Sequence, residues 1–297
     1  MTDLSPRATT PYPMVGVIFF SILTKKSTGS WISSRENDWD DHVNNILEPN
    51  RLKFRLKLLS EVIIPQFADQ TLKPDESWFR LVIITSNMLP QEVKEGLYLA
   101  VAEYPWIEVQ ERGPDDWLAA EKAVGDSVKA MPCRYDTATF PFFSFRVDDD
   151  DFLPVNYLEN TQKYVRHENV NKLVTYERGE KILWDMKTAS ICNIERNVKA
   201  FLALGLGAVC EASTCNKEVL SEVKSVYVGK NHFELSDDYG HIIDHTDSMY
   251  IWSHHASQDT FGRFKSTSFK GCWDCAPNDI ESRLQNYPHV LKFIARQ

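Results

Sequence analysis

Four consecutive aspartates, Asp148 to Asp151, follow directly on the apolar run Phe142-Phe143-Ser144-Phe145-Arg146-Val147 and lead straight into Phe152-Leu153. Carboxylates a few ångströms apart repel one another and raise each other's pKa. Flanked this closely by apolar residues, they belong at the rim of a core, where a divalent cation is the natural compensating charge. Hard oxygen donors suit Mg2+ or Mn2+ better than zinc, and such ions are usually held by one or two carboxylates completed by substrate phosphates. Along an extended segment, alternation sends Asp148 and Asp150 to one side and Asp149 and Asp151 to the other. One pair is then expected to face a ligand while the other braces the scaffold. Arg146, inside the apolar run, is a buried cation in need of a partner. A second constellation is Tyr250-Ile251-Trp252-Ser253-His254-His255, a strand-like piece ending in paired histidines.

The elements that must position these groups follow from periodicity. Val15 to Thr24 and Phe79 to Ile84 are unbroken apolar runs that read as buried strands, the second ending in Thr85-Ser86. Arg51 to Gln66 carries a helical apolar stripe expected to break at Pro65. A helix from Pro90 to about Ala102, a strand at Trp106 to Gln110 and a helix capped by Asp115-Asp116 and running to about Lys129 complete the series. Strands alternating with helices predict an α/β fold with a mostly parallel sheet covered on both faces, its ligands at the carboxyl ends of the strands. Thr24 with Lys25, Thr85 with Ser86, and the aspartates all converge there. Trp31 to Pro49 is expected to be a long loop. Past residue 152 the pattern turns mixed, with short strands at Leu173–Tyr176, Lys181–Met186, Val223–Val228 and Met249–Trp252, and a helix at Glu195–Leu204. The expected division is a frayed terminus over residues 1–13, a ligand-binding half over 14–153, and a mixed α+β half over 154–297 packed on the same sheet.

Composition narrows the function. With 297 residues, 43% hydrophobic and 25% charged, the chain is an ordinary globular protein. A net charge of −9 argues against a nucleic-acid binder, whose affinity comes from surplus Lys and Arg. An anionic ligand needs a local basic pocket or a bridging metal ion. The apolar stretch Met14 to Leu23 is about half the length of a bilayer span and has no cleavage-site pattern behind it. A cytoplasmic protein is expected, either soluble or peripheral at the inner face of a membrane. Six cysteines, including Cys272-x-x-Cys275 and the looser Cys210/Cys215 pair, read as scattered thiols and not as a disulfide frame or zinc knuckle.

Several blocks together resemble one family. A buried strand ending in Val147 and the aspartate quartet resembles the Asp-x-Asp motif of GT-A glycosyltransferases. Phe20-Ser21-Ile22-Leu23, the Arg51-Leu52 … Arg55 … Pro65-Gln66-Phe67 … Gln70 segment, Leu81 to Ser86 with Leu89-Pro90, and Phe145-Arg146-Val147 are similar, in order and spacing, to a bacterial rhamnosyltransferase family. The match covers residues 15 to 155 and fades afterwards. It implies a GT-A-like fold with an acceptor lobe, and a metal-dependent hexosyl transfer in polysaccharide biosynthesis. The donor would be a nucleotide sugar (dTDP- or UDP-linked, rhamnose by the family's name) and the acceptor a glycan or a lipid-linked glycan. By the same resemblance Mn2+ or Mg2+ is held by Asp148, Asp150 and Asp151, completed by a late histidine, His254 or His255. His254, nearer the strand, is expected.

Transfer from a diphosphate-activated sugar needs neutralisation of the leaving group, alignment of the acceptor hydroxyl, and a base if configuration inverts. Thr24, Lys25, Arg55, Ser86 and Arg146, with Asp148, are the expected donor-binding residues, and Arg51 is a further candidate cation. Asp185, Glu211, Asp238 and Asp244 are the available bases, of which Asp238 is expected. Trp31, Trp39, Trp184, Trp252 and Trp273 could stack on a sugar ring. Two rival readings use the same features. A metal-dependent phosphoesterase needs a second Asp/His ligand set early in the chain, and the first strand carries none. A non-catalytic glycan-binding module needs no functional aspartates at all.

Overall fold

The computed structural model describes residues 11–25, 38–116, 119–132, 135–185, 190–223, 234–255 and 277–296. In chain order the first half comprises β1 (Met14–Phe20), α1 (Trp39–Ile46), α2 (Pro49–Leu58), a π turn (Leu59–Ile63), α3 (Ile64–Ala68), β2 (Phe79–Ser86), α4 (Gln91–Val101), β3 (Ile107–Arg112), α5 (Ala119–Ala130) and β4 (Thr139–Asp148). The second half follows with α6 (Tyr157–Gln162), β5 (Leu173–Tyr176), β6 (Arg178–Asp185), β7 (Ser190–Val198), β8 (Gly207–Ser213), α7 (Leu235–Asp238), β9 (His241–Asp244), β10 (Ile251–His254), α8 (Pro277–Arg283) and α9 (Pro288–Ala295).

Seven strands form the central sheet in the order β3-β2-β1-β4-β8-β5-β9, with β3, β2, β1 and β4 mutually parallel. Both faces of this parallel half are covered, which is why β1 has no polar face. Met14, Ile18 and Phe20 enter one core with helices α2 and α3, while Val15, Val17 and Phe19 enter the other with α5. In such a sheet the crevice lies at the carboxyl ends, where the strand order reverses. Here that point falls between β1 and β4, with Phe19 opposite Asp148.

Strands β8, β5 and β9 come from the second half and extend the sheet; β8 runs antiparallel to β4, and β9 parallel to β5. Gly207 permits the β4–β8 contact, since a Cβ there would meet the Phe143 ring and lie 2.5 Å from the Ser144 carbonyl oxygen. A three-stranded sheet, β10-β6-β7, is joined to the chain after the aspartates by backbone bonds between Phe152 and Ile251.

Three elements differ from expectation. Within the anticipated loop, Trp39–Ile46 is helical, because the Asp38 carboxylate caps it by accepting from the Asp41 amide at 2.9 Å. The helix does not break at Pro65; the wider π turn at Leu59–Ile63 accommodates the missing N–H and the ring, and helix resumes to Ala68. Glu195–Leu204 is not a helix: β7 runs through Val198, and its Glu195 and Arg196 stand opposite Lys181 and Glu180, with which they pair. Of the strand expected at Val223–Val228, all but Val223 lies outside the described residues. Among the described residues no helix is long and apolar enough to cross a membrane.

Candidate functional site

Strand β4 ends at Asp148, and Asp149-Asp150 form a turn closed by the Asp151 amide on the Asp148 carbonyl at 3.3 Å. Extended alternation therefore stops one residue into the quartet, and each aspartate finds a different partner. Asp148 stays on the strand, two residues from Arg146 and on its face, and accepts from Arg146 Nη2 at 2.6 Å. The Arg146 guanidinium also lies over the Phe19 ring at 5.8 Å. Asp149 and Asp150 are both gripped by Arg55 from α2, the Asp150 contact being 2.7 Å. Asp151 turns to the second sheet and accepts from the Ser253 amide at 2.8 Å.

Helix α2 contributes a second arginine. Arg51 Nη1 donates to Ser21 Oγ and to the Ile46 carbonyl, each at 3.0 Å. Ser21, the residue after β1, has φ of +46°, and its amide donates to Asp149 Oδ2 at 3.2 Å. The left-handed turn at the end of β1 and the acidic turn at the end of β4 are thus stapled together through buried polar groups. Residues 51 and 55 are one helical turn apart, so both guanidinium groups project from the same face of α2.

The histidine pair divides as neighbours on a strand must. His255 brings Nε2 to 3.0 Å from Asp150 Oδ2, and its ring packs edge-on against Phe54. His254 is fully buried, with its ring centroid 4.6 Å from that of Trp252. A hydrogen-bonding contact with the acidic turn comes from His255, the neighbour of the expected His254. Burial lowers the pKa of both, taking His254 down to about 3 with nearby Lys181 adding to the effect. Burial also pushes the Asp149 carboxyl up to about 6 against the pull of Arg55, and holds Asp151 well above the usual carboxylate range.

The quartet is not uniformly hidden. Asp149, Asp150 and Asp151 are buried, whereas the Asp148 side chain is 35% exposed. Among the described residues no group of three His, Cys, Asp and Glu side chains converges to hold a metal ion unaided. Asp148 and Asp150 are held by Arg146 and Arg55, and His255 by Asp150, so a cation at this strand end would need further oxygens from a substrate. Asp151 is turned to the Ser253 amide, and the His254 ring lies tilted against Trp252.

The remaining expected residues scatter. Thr24 is buried beyond β1, and Ser86 Oγ accepts from the Met88 amide at 3.1 Å, both near carboxyl ends of the parallel strands. Thr85 Oγ1 donates to the Phe20 carbonyl at 2.8 Å, tying β2 to β1. Lys25 is half exposed, its Nζ 5.7 Å from the Trp39 ring centroid and 3.9 Å from Asp115. Arg55, expected to face a donor, instead faces the aspartates.

Asp238 is not brought to the site. It ends α7, just before β9, the edge strand, which runs in the same direction as β4, so it lies at the opposite end of the sheet. Glu211 is held by Thr139 and His167, and Asp244 by Lys163, Tyr164 and the Thr246 amide. Asp185 ends β6, two residues past Leu183, which is paired with His254. Trp184 is buried, donating to Ser253 Oγ, and Trp31 and Trp273 lie outside the described residues. So do Cys272 and Cys275, while Cys192, Cys210 and Cys215 are free thiols.

Sequence reading missed Ser21 and the Ser253 amide. A positive φ at serine and a backbone donor leave no signature in residue type, although both residues lie within motifs already singled out.

The family model described as "Putative rhamnosyl transferase" matches residues 13–265. Among solved structures, S. aureus TarS is similar at 10% identity and a TM-score of 0.38, over 97% of this chain and 42% of TarS. A TarS fragment, residues 1–349, gives 8% identity and 0.38 over 95% and 69% of the two chains. A structure titled as a putative glucose-1-phosphate thymidylyltransferase from Bacillus anthracis, in complex with a sucrose, gives 12% identity and 0.36 over 88% and 98%. This chain thus spans less than half the length of full TarS. No curated protein sequence matches it.

Proposed function

The chain belongs to the family described as "Putative rhamnosyl transferase"; from that premise we propose that it is a glycosyltransferase moving a sugar from a nucleotide-diphosphate donor to a glycan or lipid-linked acceptor, with a divalent cation at the end of β4. The observation that carries this reading is the acidic turn itself. It stands at the switch point between β1 and β4, is braced from behind by Arg55, and leaves Asp148 open toward solvent.

Asp148, Asp150 and His255 are the residues proposed to hold Mn2+ or Mg2+, which when bound neutralises charge on the departing diphosphate. Arg146 orients Asp148 through its 2.6 Å hydrogen bond. Asp151, on the Ser253 amide, fixes β10 against the turn and so places His255. For an inverting transfer Asp185, which ends β6 beside β10, is the proposed base.

A panel of dTDP- and UDP-sugars, screened with Mn2+ for release of nucleoside diphosphate with and without acceptor glycans, tests the assignment. Release that requires metal and accelerates with acceptor supports transfer. Equal release with and without acceptor points to a phosphoesterase, and absence of nucleotide binding in the presence of Mn2+ refutes the proposal.

A further inference from the structure

Register sorts the β10-β6-β7 sheet into two unlike faces. Ile182 and Trp184 of β6, Ile194 of β7 and Ile251 of β10 enter the main core. The alternate residues stand on the other face in two rows, Trp252-Lys181-Glu195 and His254-Leu183-Asn193. We infer that this second face binds the acceptor, a neutral oligosaccharide of at least two pyranose units, with Trp252 as stacking platform and Asn193 as hydrogen-bonding anchor. The inference deepens the proposed transfer by placing its acceptor, and rests on that reading for the acceptor's part in the reaction.

Asn193 is 4% exposed, and neither its Nδ2 nor its Oδ1 has a hydrogen-bond partner among the described residues. Buried polar groups are nearly always satisfied, and leaving both ends of an amide unmet is destabilising. The amide is therefore set for a ligand that offers an acceptor and a donor side by side, as adjacent sugar hydroxyls do. Glu195 Oε1 is likewise unmet, while its Oε2 lies 3.7 Å from Lys181 Nζ. That pair cancels its own charge, which suits an uncharged ligand better than an anion. Trp252, Leu183 and Glu195 are only half-buried, so the face is not sealed. The exposed Lys199 brings Nζ to 6.0 Å from the Trp252 ring centroid, and a sugar's C–H face can take its place there. From Trp252 to Asn193 is two strand spacings across and one two-residue step along, about 12 Å between Cα atoms. A single pyranose does not span that distance, whereas two linked units do. The face also borders the acidic turn, since the Ser253 amide, just before His254, donates to Asp151.

The test reads saccharide binding by the full chain, using saturation-transfer NMR. Its probes are methyl α-rhamnoside, methyl α-glucoside, a rhamnose disaccharide, maltose and cellobiose. At least one disaccharide should bind wild type roughly tenfold or more tighter than its monosaccharide. Trp252→Leu and Asn193→Leu should each weaken that binding by about tenfold or more. Asn193→Leu should also unfold at a urea concentration equal to or above that of wild type, because an apolar side chain of similar size removes two unmet polar atoms. An amide that serves the fold would show the reverse. The inference is overturned if no probe binds wild type, if monosaccharides bind as well as disaccharides, if both variants bind like wild type, or if Asn193→Leu lowers the midpoint. Nucleotide release from the dTDP- and UDP-sugar panel, measured on wild type, separates the two failures. Release without saccharide binding removes this face and keeps the donor reading. Saccharide binding that the variants lose, with no nucleotide bound or released, keeps the face as a carbohydrate site and removes the transfer reading.

Discussion

Replacing Arg55 with methionine gives the most direct measure of how the acidic turn is held. The substitution keeps side-chain length and removes the charge between Asp149 and Asp150, whose side chains are 7% and 5% exposed. Breaking a buried ion pair by removing one partner costs about 3–5 kcal/mol, because the remaining charge has neither water nor a counter-ion. Here two carboxylates are left side by side on one turn, which places Arg55→Met at the upper part of that range. Against a total stability of about 5–15 kcal/mol the loss is large, equivalent to a fall in Tm of roughly 6–20 °C.

A double-mutant cycle with Asp149→Asn apportions the effect. With one charge of each sign gone, Asp150 keeps its contact with His255 and most of the deficit should be recovered, giving a coupling energy of about 1–3 kcal/mol. The pH dependence has a definite sign. Burial already raises Asp149 to about 6, and without Arg55 it must rise further, so the folded state binds more protons than the unfolded chain above pH 4. The deficit of Arg55→Met should therefore shrink as pH falls from 7 to 5. Urea unfolding of the four proteins at both pH values measures all of this. A loss below about 1 kcal/mol, or a strictly additive cycle, would show that packing and not the ion pair holds the turn.

Other outcomes follow from the same geometry. Asp148→Asn should lower sugar transfer on the order of 100-fold while leaving the unfolding midpoint near wild type, since that side chain is partly exposed. His255→Ala should impair nucleotide-dependent Mn2+ binding, measured by calorimetry, whereas Asp238→Asn should leave transfer unchanged. Gly207→Ala should cost about 1–3 kcal/mol in chemical denaturation, because its Cβ meets Phe143 and the Ser144 carbonyl. Burial would raise the Asp244 carboxyl, but hydrogen bonds from Lys163, Thr246 and Tyr164 outweigh it and take it down to about 2. Its contribution, about 2 kcal/mol at pH 7, is present above the unfolded value near 3.8 and fades as pH falls toward 2. Asp244→Asn should accordingly cost about 2 kcal/mol at pH 7 and about half as much at pH 3, read from denaturant midpoints.

Residue type and local order determined a good deal here. Largely apolar runs such as Met14–Phe20 and Phe142–Val147 are diagnostic because strands covered on both faces need apolar residues on both, and that made the parallel half and the place of its ligands readable. The aspartates after Val147 and the family-like blocks around them were likewise evident from order alone. What decided the roles within the site was contact between distant segments. Whether Asp149 faces a ligand or Arg55 depends on where α2 packs, 94 residues earlier in the chain. His255 rather than His254 meets Asp150 because the Phe152–Ile251 bridge sets the register of β10 against the turn. Asp238 is set apart from the acidic turn only by the direction of β9 on the far edge of the sheet. Charges in a low-dielectric rim interact with whatever the fold brings within a few ångströms, and no one-dimensional pattern records that proximity.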